Sequence, residues 1–362
     1  MPFPAMTDSL DISILESGDN ARAVALARFG PDLAVEMLPC ALLTGLASFR
    51  EMLNKAAGKR GQPPNGPELI KFGRDLFNFV IRDTLQTLYN GLPVSRIRIQ
   101  ILSNRSDLQA LPWEYLLEPN VKVSQPNNVR GIVRIVPTVG VHQPDPPKLS
   151  GAIRLLFVYA DPVDLGRVDW ASVKSVIEVA FRSRLTENFK IDVVEGASRD
   201  SLKAALAAKN YDILHFSGHG QVRADGRGQI LLKNFKSKKT EPMLAEELAA
   251  VIRGRGIQLI VFSSCSTSAG DFAQGYAVVA KTLVEAGVAA VVANQFAVDN
   301  SQVATFATGL YRELLRSGDI DQAVAEGRMM LYSPPASGDR ASFEWGIPTL
   351  YRHIGSAQIF TP

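Results

Sequence analysis

The sequence predicts an α/β protein whose C-terminal part is built on a mainly parallel, six-stranded sheet covered by helices on both faces. Three observations carry this. Apolar runs recur at Ile153–Tyr159, Ile191–Val194, Asp212–Phe216, Gln258–Ser263 and Val288–Gln295, with a sixth at Thr349–Ile354. Helical apolar faces separate most of them, and strands alternating with helices build parallel sheets buried on both sides. A break, Gln143-Pro144-Asp145-Pro146-Pro147-Lys148, sets this regular region apart from a mixed N-terminal one.

In chain order, Asp11–Leu15 and Arg22–Ala27 read as short strands about a Gly18-Asp19-Asn20 turn. Leu69, Phe72, Leu76, Phe79 and Val80 recur at helical spacing, which predicts one amphipathic helix over Pro67–Tyr89, with Gly73 inside it. Arg96–Ile101 alternates with the two-residue period of a half-buried strand, and Gly131–Val136 is a further candidate. These elements form an N-terminal α/β lobe over 1–142. The Pro-rich stretch at 143–150 reads as a linker, because proline breaks helix and sheet alike. The third region, 151–362, holds the regular sheet. Its helical faces are Trp170, Val173, Val176, Ile177, Ala180 and Phe181, then Leu244, Leu248, Val251 and Ile252, then Tyr276, Val279, Ala280 and Leu283.

Composition narrows the function. The net charge of +3 over 362 residues gives no reason to expect nucleic acid or an anionic membrane as partner. No apolar stretch approaches the roughly 18 residues that span a bilayer, and Met1–Leu10 does not read as a secretory signal. The two cysteines, Cys40 and Cys265, make a disulfide framework improbable and point to a reduced, cytoplasmic setting.

In open α/β sheets the chemistry lies beyond the carboxyl ends of the strands. Two ends carry reactive groups. The third run ends in His215-Phe216-Ser217-Gly218-His219-Gly220, and the fourth in Ser263-Ser264-Cys265-Ser266-Thr267. Right-handed crossovers predict these strands to be neighbours, which sets an imidazole beside a thiol. A thiol is mostly protonated at neutral pH, whereas its thiolate is the nucleophile, so a nearby imidazole has a use as base and then as acid. His219 is the base candidate and Cys265 the nucleophile candidate. The Gly220 and Cys265 N–H groups are candidates to hold the oxyanion. Taken alone, Cys265 reads first as a small core residue, and it is the pairing with a Gly-flanked His at the end of the preceding strand that favours the nucleophile.

Other groups read differently. His215, inside its strand, is expected to be a hydrogen-bonded core residue or to support the site. His142 and His353 lack metal-ligand spacing, no zinc signature occurs, and no cofactor is called for. Cys40 reads as packing. Lys233, Lys236, Lys238 and Lys239 about Phe235 read as a solvated hairpin.

Several segments resemble those of the CHAT peptidases, bacterial relatives of caspases and separase. Asp212-Ile213-Leu214-His215-Phe216-Ser217-Gly218-His219-Gly220 is similar to the family's His motif, and Leu259–Cys265 to its Cys strand. Ser263-Ser264 stands where that strand usually ends in Asn-Ala or a similar pair before the cysteine. Leu111–Pro119, with Pro112-Trp113-Glu114, Ala286–Phe296 and Trp345-Gly346-Ile347-Pro348 resemble further family segments, so the resemblance spans most of residues 60–355. It implies a caspase-like three-layer fold. It also implies that the N-terminal lobe is a pseudo-caspase-like, inactive partner, and that His219 and Cys265 form the dyad, with Gly220 in the oxyanion hole. The expected activity is a cysteine endopeptidase acting on specific protein substrates, in bacterial defence or regulated proteolysis. A separate activator or sensor protein is an expected partner. The alternative is a catalytically silent scaffold or signalling module of the same fold. Asp299 and Asp161, just past two strands, are candidates to select a basic residue before the cut. Asp299 reads equally as a helix cap, and Asp161 as the start of a turn. Ser263 is a further candidate substrate contact.

Overall fold

Strands with apolar side chains on both faces must be covered on both sides, and the chain folds accordingly. The computed structural model describes residues 9–17, 22–39, 43–57, 66–91, 96–102, 108–109, 111–119, 132–138, 140–141, 145–182, 189–263, 272–296, 298–332, 343–355 and 357–361. Cys40, His142 and Cys265 lie outside these residues.

The regular region supplies β6 (Ile153–Tyr159), α4 (Trp170–Arg182), β7 (Phe189–Val194), α5 (Arg199–Ala208) and β8 (Ile213–Ser217). A small antiparallel sheet follows, of β9 (His219–Val222), β10 (Gly228–Lys233) and β11 (Thr240–Leu244). Then come α6 (Ala245–Ile252), β12 (Leu259–Ser263), α7 (Phe272–Glu285), β13 (Ala290–Asn294), α8 (Asn300–Ser317), α9 (Ile320–Leu331) and β14 (Pro348–Arg352). The six main strands lie in the order β14-β13-β12-β8-β6-β7, all parallel except the β13–β14 pair. This is the predicted mainly parallel array.

Each strand buries alternate residues into two cores. Leu155 and Phe157 of β6, with Val261 of β12, pack toward α4, α8 and α9. Leu156, Val158 and Ile260 pack toward α5, α6 and α7 on the other face. The result is the α/β/α layering that the two-sided apolar pattern requires.

The N-terminal region holds β1 (Ser9–Glu16), β2 (Arg22–Phe29), β3 (Asp32–Pro39), α1 (Leu43–Ala57), α2 (Gly66–Val80), α3 (Asp83–Asn90), β4 (Arg96–Ile101) and β5 (Ile132–Ile135). Its five strands extend the same sheet, in the order β3-β2-β1-β4-β5-β14, so one eleven-stranded sheet runs through both regions. The join is the parallel β5–β14 ladder, Val133 to Leu350 and Ile135 to Arg352. One core cluster is correspondingly continuous from Leu10 to Phe360.

Where one helix was predicted over 67–89, the structure has two. Arg82 is extended (φ −137°) and Asp83 takes a positive φ of 37°, which ends the first helix before the second begins. Gly73 inside α2 has a packing reason. A Cβ there would stand 2.7 Å from the Leu117 side chain, and the Gly73 carbonyl accepts from Leu117 N–H at 3.0 Å.

Three segments singled out by the sequence meet across the β5–β14 join. The Glu114 carboxylate, fully buried, accepts from Arg134 Nε (2.8 Å), Arg134 Nη2 (2.6 Å) and Gln295 Nε2 (2.8 Å). Gln295 also donates to the Gly346 carbonyl at 2.6 Å. Arg328 donates to the Trp345 carbonyl at 2.9 Å and to the Glu114 carbonyl. Tyr115 Oη donates to the Phe343 carbonyl at 2.6 Å, and its ring meets Trp345 edge-on at 5.0 Å.

Candidate functional site

The site grows from the ends of β8 and β12. These strands pair in parallel with Ser217 opposite Ser263, and the Gly218 N–H donates to the Ser263 carbonyl at 3.2 Å. His219 lies two residues beyond Ser217, and Cys265 two residues beyond Ser263. The predicted adjacency of the His and Cys strands therefore holds in register. Cys265 itself lies outside the described residues, as does its N–H.

At Gly218 the chain leaves the main sheet, and His219 opens β9, paired with Leu231 of β10. Gly220 pairs with Ile230, its backbone against α7. A Cβ on Gly220 would lie 2.7–2.8 Å from three atoms of the Tyr276 ring, so only glycine lets this strand lie so close.

His219 is 1% exposed. Its Nε2 donates to the Gly166 carbonyl at 2.8 Å. A carbonyl only accepts, so Nε2 carries the proton, and the basic atom of the neutral ring is Nδ1. Burial lowers the ring's pKa below the ordinary imidazole value, partly offset by the Gly166 bond and by the charge of Asp161. A ring held neutral near pH 7 in one tautomer is suited to accept a thiol proton.

Gly166 belongs to the segment between β6 and α4, and that segment is anchored to the small sheet. Val163 N–H donates to the Lys238 carbonyl at 3.0 Å, and Asp164 Oδ1 accepts from Thr240 N–H (2.8 Å) and Oγ1 (3.0 Å). The basic hairpin predicted about Phe235 is the β10–β11 turn. Phe235 is 77% exposed, with Lys238 Nζ 4.7 Å from its ring centre.

The remaining candidates are placed as follows. Asp161, half-buried, follows β6 and lies within electrostatic reach of His219. Asp299 is exposed at the N-cap position of α8, where its carbonyl accepts from Gln302 and Val303 and its side chain makes no cap bond. Ser263 is buried, and its Oγ lies 2.8 Å from His215 Nε2. His215 is fully buried, with Nδ1 2.7 Å from Tyr311 Oη. Among the described residues no cluster of His, Cys, Asp and Glu could hold a metal ion, and no helix is long and apolar enough to cross a membrane.

The Gly166 carbonyl was not legible in the sequence, since any residue can offer a backbone carbonyl there. The partners of Glu114 were equally hidden, although the segments that supply them were each recognised.

A family model described as the CHAT domain matches residues 71–356. Two Saccharomyces cerevisiae separase–securin complexes are similar at 10% identity, with TM-scores of 0.48 and 0.47, over 96% of this chain. The chain spans 30% of the length of those matched chains. A complex of the pro- and mature domains of Porphyromonas gingivalis RgpB is similar at 10% identity and TM-score 0.46, over 89% of this chain and 78% of that one. No curated protein matches the sequence.

Proposed function

This chain belongs to the CHAT domain family, and from that premise we propose that it is a cysteine endopeptidase with His219 as base and Cys265 as nucleophile. One observation carries the reading. A buried imidazole, fixed in the Nε2–H tautomer by Gly166, stands at the end of a strand paired in register with the one that leads to Cys265. The bond to Gly166 makes Nδ1 the basic nitrogen of that ring.

The chemistry follows from those groups. The Cys265 thiol gives its proton to His219 Nδ1, and the sulfur attacks the scissile carbonyl. The oxyanion that forms is held by the N–H groups of Gly220 and Cys265. The His219 imidazolium then returns its proton to the leaving amine. Water next attacks the thioester, giving its proton to His219 and restoring the thiol. A carboxylate in the first pocket would select Arg or Lys before the cut, and Asp161 is the one whose charge already acts on His219. The substrates we propose are specific proteins cut in defence or regulated proteolysis, in the cytoplasm, with a separate activator or sensor protein as partner.

The test is labelling by a peptidyl electrophile followed by peptide mass spectrometry, with proteolysis measured alongside. The label is expected on Cys265, with none in Cys265→Ala and no proteolysis in His219→Ala. Labelling that persists in Cys265→Ala, or proteolysis that survives His219→Ala, overturns the assignment. Intact cellular function in Cys265→Ser points instead to a scaffold.

A further inference from the structure

We propose that His215 is the positioning residue for the nucleophile's strand, its ring clamped between Tyr311 of α8 and Ser263 at the end of β12. The inference rests on the peptidase reading and adds a residue to that site.

A histidine at the centre of a parallel sheet costs stability unless both ring nitrogens are satisfied, and a hydrocarbon would fill the same space without that cost. His215 is 0% exposed, and its ring stacks on Phe157 at 5.3 Å and 18°. What imidazole adds over hydrocarbon is two directional bonds at opposite ends. The bonds have one self-consistent direction. Ser263 Oγ lies 3.4 Å from the Phe216 carbonyl, to which only its hydroxyl proton can be given. Ser263 therefore accepts from His215 Nε2–H at 2.8 Å, and Nδ1 accepts from Tyr311 Oη–H at 2.7 Å. The resulting chain, Tyr311 to His215 to Ser263 to the Phe216 carbonyl, ties a helix on one face of the sheet to the carboxyl ends of both site strands. Burial keeps the ring uncharged, so the direction of the chain does not change over the working pH range. Its last side chain, Ser263, stands two residues before Cys265. A displacement of 1 Å at a reacting group can cost ~10²-fold in rate, which gives such a clamp a use that packing alone does not have.

The experiment follows iodoacetamide alkylation of Cys265 and Cys40 separately by mass spectrometry, against pH, in the full chain. His215→Leu is expected to lower the Cys265 rate about tenfold, within the loss that misplacement can produce, while leaving Cys40 unchanged. His215→Gln, which keeps an N–H near the Nε2 position, is expected to recover most of the rate, and Tyr311→Phe to fall between. Thermal unfolding of each variant identifies any that fail to fold. If His215→Leu does not fold, Ser263→Ala and Tyr311→Phe carry the test. A Cys265 rate unchanged in the folded variants overturns the inference while leaving the dyad standing. A wild-type Cys265 that reacts no faster than Cys40 overturns the dyad itself, and the positioning role with it.

Discussion

Replacing Glu114 by alanine should destabilise the fold by about 3–5 kcal/mol, the cost of stranding one member of a buried ion pair. The structure sets that figure. The carboxylate is fully buried and accepts three N–H groups, two of them from Arg134, whose side chain is only 12% exposed. Burial alone would lower the Arg134 pKa, but the electrostatic pull of Glu114 and Tyr351 and the hydrogen bonds to Glu114 together outweigh it and hold the guanidinium more firmly protonated. After the substitution, Arg134 keeps its bonds to the Gln109 and Leu111 carbonyls but no charge opposes its own. Against a total stability of roughly 5–15 kcal/mol, the loss is large. Urea unfolding followed by circular dichroism measures it. Arg134→Met in the Glu114→Ala background should regain part of it, so the two changes should be strongly non-additive in a double-mutant cycle. A loss under about 1 kcal/mol for Glu114→Ala, or additivity of the pair, would refute the reasoning.

Two further outcomes are expected. Burial pushes the His215 pKa from 6.5 down to about 3, so between those values the unfolded chain binds a proton that the native chain does not. Stability contributed at neutral pH is then lost as pH falls below about 6.5, reaching about 2 kcal/mol at pH 5. The pH dependence of unfolding should be shallower by that amount in His215→Gln, and equal slopes would show that the ring titrates normally. Gly220→Ala should lower stability by about 1–3 kcal/mol through the clash with the Tyr276 ring, as overpacking does. Tyr276→Leu in the same chain should relieve part of it; no relief would place the strain elsewhere.

The parallel sheet was legible because its strands are apolar on both faces and bounded by helical patterns. The His and Cys strands were legible as neighbours because crossover handedness leaves few arrangements. The sequence did not reveal that His219 opens a second, smaller sheet. Nothing in Ser217-Gly218-His219 marks a change of sheet, and the change follows from tertiary pairing with β10. The continuity of the sheet across the Pro-rich stretch was hidden for a similar reason. Prolines interrupt local structure, but β5 reaches the second region through β14, a strand remote in sequence. The break between α2 and α3 lies in the backbone angles of Arg82 and Asp83, to which apolar periodicity is blind. His215 was read correctly as a bonded, buried residue, whereas its partners Tyr311 and Ser263 emerge only from packing.

The place of β14 bears on biosynthesis. It is translated after every other strand of the sheet, yet it lies between β5 and β13 in the middle. Until it emerges from the ribosome, two raw backbone edges face an empty slot, and such edges recruit neighbouring chains. The two flanks are thus joined only once β14 has been made. A stop codon ahead of Pro348 would therefore split this molecule down its centre.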